Sequence, residues 1–147
     1  MEQPKVTDNF IAVIEAARKV NAEQGAVYVG TEHLLYGFLC VECTAGKFLR
    51  EAGVSKAEYE AEFFRSLDRS VVAEDMTPRT KLMVRRAMAL AQDQEVKTGT
   101  SHLLLALLDS GSCVAVMILQ VLGIDLDALQ RRTRKYVQQM NLEEDGD

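Results

Sequence analysis

Two cysteines and two histidines are the residues of this sequence whose types first suggest chemistry. Cys40 and Cys43 have the C-x-x-C spacing of a redox dithiol or of half a zinc site. However, the chain has no second cysteine pair, and His33 and His102 stand far apart in the sequence. We expect no metal, and we expect reduced cysteines that are buried or half-buried near a helix junction. A thiol or metal protein that uses Cys40, Cys43 and His33 is the alternative from another class.

A phosphate-binding loop is the second chemical possibility, and the sequence lacks one. The P-loop needs G-x-x-x-x-G-K-[ST] so that backbone amides surround the phosphates. Here Gly46-Lys47 is followed by Phe48, and Val41 stands where the first glycine would be. The sequence therefore predicts a chain that does not hydrolyse ATP, that is not an enzyme and that needs no cofactor.

Glu32, which directly follows Thr31, is the carboxylate of greatest interest. At a helix start it is stabilised by the helix dipole, an effect worth about 0.3–1 kcal/mol. Alternatively, it accepts hydrogen bonds from a guanidinium-like group, while amides at the start of a nearby helix, around Thr7, hold an anion. The second interpretation suits a ligand that carries both signs of charge.

An internal repeat organises these residues. The segment that begins Thr31-Glu32-His33-Leu34-Leu35 returns as Thr100-Ser101-His102-Leu103-Leu104. Upstream, Thr7 matches Thr77, so the chain is a tandem duplication of about 70 residues. Because both histidines recur at the same place in the repeat, we interpret them as packing and hydrogen-bonding residues rather than as bases.

Each repeat has the apolar spacing of four short helices. Phe10, Val13, Ile14 and Ala17 form one apolar stripe that follows a cap at Thr7 or Asp8. We further expect Thr31 to cap the second helix, Gly53 to end the third and Thr77-Pro78 to open the second repeat. The predicted fold is all-α, with two pseudo-twofold-related four-helix repeats packed into one domain. The first repeat covers residues 5–70, the second 76–140, and residues 141–147 form an acidic tail or linker, with Ser70 to Asp75 as the connector.

Charge and hydropathy restrict the class of partner. The chain has 17 basic and 22 acidic residues and a net charge of −5, which disfavours nucleic acid and favours proteins. No apolar run is long enough for a membrane span, and Met1 to Phe10 does not resemble a signal peptide, so we expect a cytoplasmic monomer. Four basic residues on the last helix predict a solvated helix face: Arg131, Arg132, Arg134 and Lys135.

Three segments together resemble the N-terminal domain of the Clp/Hsp100 unfoldases, and the ClpC branch is the most similar. They are Val6-Thr7-Asp8-Asn9, Tyr28-Val29-Gly30-Thr31-Glu32-His33-Leu34-Leu35 and Thr77-Pro78-Arg79. The resemblance covers about residues 5 to 140. It implies a non-catalytic module that docks adaptors and substrates above an AAA+ ATPase ring, in cis or in trans. A stand-alone Clp-like accessory protein that regulates a Clp assembly is the other function that it allows.

The resemblance also implies a ligand, since ClpC-like domains recognise phosphoarginine, a mark for degradation. Carried onto this chain, Glu32 faces the guanidinium, and Thr7 and Thr31 lie near the ligand. The second repeat departs from the pattern because Ser101 replaces the acidic residue. A serine cannot form a charge-assisted bond to a guanidinium, so we expect a degenerate second site at Thr77, Thr100 and Ser101.

Overall fold

The computed structural model describes residues 6–23, 29–66, 76–111 and 113–139. Within these ranges the chain forms eight α-helices and no β-strand longer than a single bridge, which confirms the all-α prediction. The helices are α1 (Asp8–Glu23), α2 (Thr31–Cys40), α3 (Thr44–Glu51), α4 (Lys56–Ser66), α5 (Pro78–Asp93), α6 (Thr100–Asp109), α7 (Val114–Val121) and α8 (Leu126–Gln139). The predicted connector, Ser70 to Asp75, and the acidic segment 141–147 lie outside the described residues.

Each repeat begins with a helical hairpin, α1 with α2 and α5 with α6. The Asn9 side chain near the start of α1 donates a hydrogen bond to the Glu42 carbonyl, just beyond the end of α2, at 3.3 Å. The two helices are therefore antiparallel. They also approach closely, because a Cβ at Gly37 would lie 2.7 Å from the Val13 carbonyl oxygen.

The two repeats interlock through their later helices. The third helix of the first repeat, α3, packs on α6 and α8, whereas its equivalent α7 packs on α2 and α4. Two single parallel bridges, Val6 with Thr98 and Val29 with Met76, also join the repeats. As a result, one apolar core includes side chains from both repeats, and neither repeat encloses a core alone.

Helix α6 is the most buried of the described helices, since every residue from Thr100 to Leu108 is buried. Among the described residues, no single helix is long and apolar enough to cross a membrane, although α6 and α7 taken together meet that test on length and composition.

Most helix ends agree with the sequence-based expectations. The Thr7 hydroxyl caps α1, and Thr77 caps α5 ahead of Pro78. Gly53 has φ +101°, and the Val54 N–H donates to the Leu49 carbonyl at 2.9 Å, which is the Schellman arrangement.

The cap predicted for α2 is wrong, because Gly30 occupies the N-cap and Thr31 is the first helical residue. The hydroxyl of Thr31 is not available to its own helix, since it bonds to the opposite repeat, as described below.

Candidate functional site

Three helix starts converge around Glu32. The Thr77 N–H donates to the Val29 carbonyl at 3.0 Å, which places the start of α5 beside the start of α2. The Ala115 N–H in the first turn of α7 donates to the Thr31 hydroxyl at 3.1 Å. Because each helix N-terminus carries a partial positive charge, the junction of α2, α5 and α7 favours negative charge.

Glu32 contributes a carboxylate to this junction. Its side chain is 14% exposed, and it folds back over Gly30 into the space that a Cβ on residue 30 would fill. The Glu32 backbone carbonyl accepts a hydrogen bond from the buried Tyr59 hydroxyl at 2.9 Å. Burial, followed by the charge of Glu32, raises the pKa of Tyr59, so this hydroxyl stays a neutral donor. Glu32 is thus held at its backbone, while its side chain is mostly buried and keeps a small exposed part.

The two histidines have the same structural role in both repeats. His33 Nδ1 accepts the Gly30 N–H at 2.9 Å, and His102 Nδ1 accepts the Gly99 N–H at 3.0 Å. Each ring therefore closes the first turn of its own helix, as the repeat predicted. The 3.6 Å approach of Glu32 Oε1 to His33 Nδ1 is not an ion pair, because that nitrogen already accepts a hydrogen bond.

His102 has a second partner. With Nδ1 accepting, Nε2 carries the proton and donates to Gln94 Oε1 at 3.1 Å, and the Gln94 amide donates to the Val137 carbonyl at 2.7 Å. Burial lowers the pKa of His102 to about 4, so it is neutral near pH 7. The ring therefore links α5, α6 and α8.

The equivalent junction in the other half of the fold is closed. It joins the starts of α1, α3 and α6 through the Thr7 N–H bond to the Thr98 carbonyl at 2.9 Å and the Ala45 N–H bond to the Thr100 hydroxyl at 3.4 Å. Ser101, which replaces the carboxylate, is fully buried, and its hydroxyl has no hydrogen-bond partner among the described residues. The two junctions therefore differ in both charge and access.

The predicted placement of Thr7 beside Glu32 is wrong. Thr7 precedes α1, whose start lies at the far end of α2 from Glu32, and the ten residues of α2 span about 15 Å. Glu32 lies instead beside the segment of Thr77, which the sequence had assigned to the second site. The repeat offset shows which residues of the two repeats are equivalent. It does not show that the first helix of each repeat starts beside the second helix of the other repeat.

The remaining threonines of the predicted site are engaged within the fold. Thr31 and Thr100 are buried, and their hydroxyls accept the cross-repeat hydrogen bonds. The sequence did not predict the role of Tyr59, which anchors the Glu32 backbone. In the sequence, Tyr59 is one of the apolar residues at helical spacing, and this pattern does not distinguish it from other core residues.

The cysteines divide into two structural positions. Cys43 is the N-cap of α3, where its sulfur accepts the Gly46 N–H at 3.4 Å, and Cys113 is the equivalent N-cap of α7. Both are buried, but Cys40 is exposed, so the expectation of burial is wrong for that residue. Among the described residues, no group of histidine, cysteine and acidic side chains is placed to hold a metal ion.

Two arginines of the basic cluster of α8 form ion pairs. Arg132 forms an ion pair with Glu51, and its guanidinium carbon lies 4.7 Å from the centroid of the Phe48 ring. Arg134 pairs with Asp109 at 2.6 Å. Both side chains are nevertheless exposed, which agrees with the prediction of a solvated helix face.

Comparison with protein families gives the same architecture. The model of the Clp repeat (R) N-terminal domain matches residues 75–147, a range that includes the helices α5 to α8. This chain belongs to the Clp N-domain family. The ATP-dependent Clp protease ATP-binding subunit ClpA homolog of Cyanidium caldarium is 31% identical over 136 residues, which are 86% of this chain and 16% of that protein. The chloroplastic chaperone protein ClpC of Pisum sativum is 33% identical over 132 residues, 82% of this chain and 14% of its own length. This Clp N-domain thus spans about one sixth of the length of the curated relatives it matches.

Solved Clp N-domains share the fold at low sequence identity. The Hsp104 N-terminal domain from Candida albicans superposes with a TM-score of 0.76 at 18% identity, and the superposition covers 96% of this chain and 97% of that chain. The N-terminal domain of ClpD from Arabidopsis thaliana gives 0.71 at 17%, over 90% and 97% of the two chains. A ClpV N-domain solved in complex with a VipB peptide also gives 0.71 at 17%, over 91% and 88%.

Proposed function

We propose that this Clp N-domain docks adaptor proteins and protein substrates for a Clp-type AAA+ ATPase ring, and that the Glu32 junction recognises phosphoarginine. The single observation that carries the second part is the position of the Glu32 carboxylate where α2, α5 and α7 begin. A partly exposed acid beside three positive helix ends suits a group that carries both a cation and an anion.

Phosphoarginine places a guanidinium and a phosphoryl group on one side chain. In the proposed complex the guanidinium donates charge-assisted hydrogen bonds to Glu32, and the phosphoryl group faces the start of α5. Arg79, which is exposed in the first turn of α5, adds a positive charge on the phosphoryl side. The first repeat thus supplies the acid, and the second repeat supplies the anion-binding end.

Relatives support the docking part of the proposal. Full-length relatives are named as ATP-binding subunits of Clp proteases, and the ClpV N-domain was solved with a peptide. This chain carries no P-loop, so the ATPase that it serves is another domain or another chain. A binding experiment separates the docking role from a stand-alone accessory role. An accessory protein would bind an assembled ring but would not capture substrates or adaptors. The cytoplasmic location stays a prediction.

Calorimetric titration with phosphoarginine tests the ligand, with arginine and phosphoserine as controls. We expect one site per chain, because the Ser101 junction is closed. Replacing Glu32 by glutamine removes the charge but keeps the shape, and we expect the affinity to fall about tenfold or more. Glu58→Gln, an exposed substitution on α4, is the matched control and keeps the wild-type affinity. Two sites, or unchanged binding by Glu32→Gln, would contradict the assignment. If phosphoarginine does not bind at all, its recognition by the Glu32 junction is excluded and only the docking function remains proposed.

A further inference from the structure

The duplication builds the same groove twice, each time between a third helix and the fourth helix of the other repeat. One groove lies between α3 and α8, and the other lies between α7 and α4. Because the backbone architecture is shared, differences between the two sets of side chains are not required by the fold.

The α3/α8 groove is cationic, and its aromatic floor is the half-buried Tyr136, because Phe48 beneath it is buried and covered by Arg132. The groove encloses about 430 Å³, and its lining includes Lys47, Phe48, Arg132, Lys135 and Tyr136. The Phe48 and Tyr136 rings meet edge to face with centroids 5.4 Å apart. This volume is within the range of about 300–1,000 Å³ that is usual for ligand sites.

Among the residues that the structure describes, the lining of the α7/α4 groove is apolar with one acid. The groove encloses about 260 Å³ and is lined by Glu62, Val114, Met117, Ile118 and Val121. The repeat offset aligns Lys47 with Met117, Phe48 with Ile118 and Arg132 with Glu62. The fold therefore does not require a cation at the positions of Lys47 and Arg132, whereas Lys135 aligns with a second basic residue, Arg65.

The charges of the α3/α8 groove are not all balanced internally. Arg132 is engaged by Glu51 and by the Phe48 ring. Lys47 and Lys135 are exposed and form no ion pair among the described residues. On a chain of net charge −5, two uncompensated lysines beside an aromatic floor form a local positive surface that complements carboxylates.

We infer that the α3/α8 groove binds an acidic peptide segment that carries an aromatic or large apolar side chain. Carboxylates of the segment pair with Lys47 and Lys135, and the apolar side chain packs against the half-buried Tyr136 ring. The class of partner, an adaptor or substrate protein, rests on the docking function proposed above. It is independent of Glu32 and of phosphoarginine.

Fluorescence anisotropy with a short labelled peptide of glutamates and one phenylalanine tests the inference. We expect the chain to bind this peptide, with an affinity that falls as salt rises. The neutral counterpart, with glutamine in place of glutamate, should bind at least tenfold more weakly. The combined variant Lys47→Met, Lys135→Met should lose at least tenfold in affinity and keep its unfolding midpoint, because both lysines are exposed.

Two control variants and one competing ligand make the outcome decisive. Lys19→Met removes an exposed lysine from α1 and should leave peptide binding unchanged. Glu32→Gln should bind the acidic peptide normally, while its affinity for phosphoarginine falls about tenfold or more. Failure of one proposal therefore leaves the other measurable. Equal binding of the neutral peptide, or wild-type affinity in the combined lysine variant, would overturn the inference. Tighter binding of a single-stranded oligonucleotide than of the peptide would also overturn it.

Discussion

The hydroxyl of Thr31 accepts the backbone N–H of Ala115, 84 positions further along the chain, at 3.1 Å. Thr100 makes the equivalent hydrogen bond with the N–H of Ala45 at 3.4 Å. Each threonine therefore caps the third helix of the opposite repeat. This exchange ties the two repeats into one folding unit and brings α7 to the Glu32 junction.

Replacing Thr31 by valine should destabilise the whole chain. The substitution keeps the shape but leaves the Ala115 N–H buried without a partner, at a cost of about 1–3 kcal/mol in the free energy of unfolding. Urea denaturation followed by circular dichroism measures the change, and the transition should remain single because the core is shared. Thr31→Ser retains the oxygen and should lose much less. Equal losses in the two variants would show that the hydroxyl is not the stabilising group.

Ser101→Glu should destabilise the chain rather than create a second ligand site. Ser101 is fully buried, so the new carboxylate would lose its hydration without a basic partner, at a cost of about 3 kcal/mol or more in the free energy of unfolding. Ser101→Ala removes a buried hydroxyl that has no partner among the described residues, and we expect it to be neutral or stabilising by up to about 1 kcal/mol.

Thermal unfolding of the two Ser101 variants distinguishes these effects, and calorimetry checks for a second phosphoarginine site. A stable Ser101→Glu variant that binds two ligands would show that the closed junction opens readily.

His102 should make stability fall as the solution is acidified. Its folded-state pKa is about 4, below the ordinary value of 6.5, so between these values the unfolded chain binds more protons than the folded chain. The contribution is fully present above about pH 6.5 and is lost as the pH falls towards 4. From pH 7 to about pH 4.5 the loss is about 2 kcal/mol.

The matched comparison for this pH dependence is His102→Gln, which cannot titrate at that position. At neutral pH the variant should be less stable than the wild type, because it loses the ring packing and the bond to Gln94. The difference in the free energy of unfolding between the wild type and His102→Gln should narrow by about 2 kcal/mol at low pH. Carboxylates titrate in both proteins, so their contribution cancels in this comparison. A constant difference from pH 7 to 4.5 would contradict the shifted pKa.

The local elements of this protein follow from its sequence. Apolar spacing placed the helices, and the matched segments around Thr31 and Thr100 revealed the duplication. Thr7, Thr77-Pro78 and Gly53 marked helix ends correctly. These features depend on residues a few positions apart, so nearby side chains and backbone groups determine them.

The composition of each site was decided only by the tertiary structure. The sequence identified Glu32 as the distinctive acid and predicted that Glu32 lies near Thr7. In the fold, Glu32 lies instead beside Thr77 and Tyr59. Likewise, Lys47 and Lys135 lie on different repeats, and only the packing of α3 on α8 puts them in one groove. The physical reason is that each repeat leaves apolar surface that only the other repeat covers, and the pattern within a repeat does not show which helix of its partner will cover it.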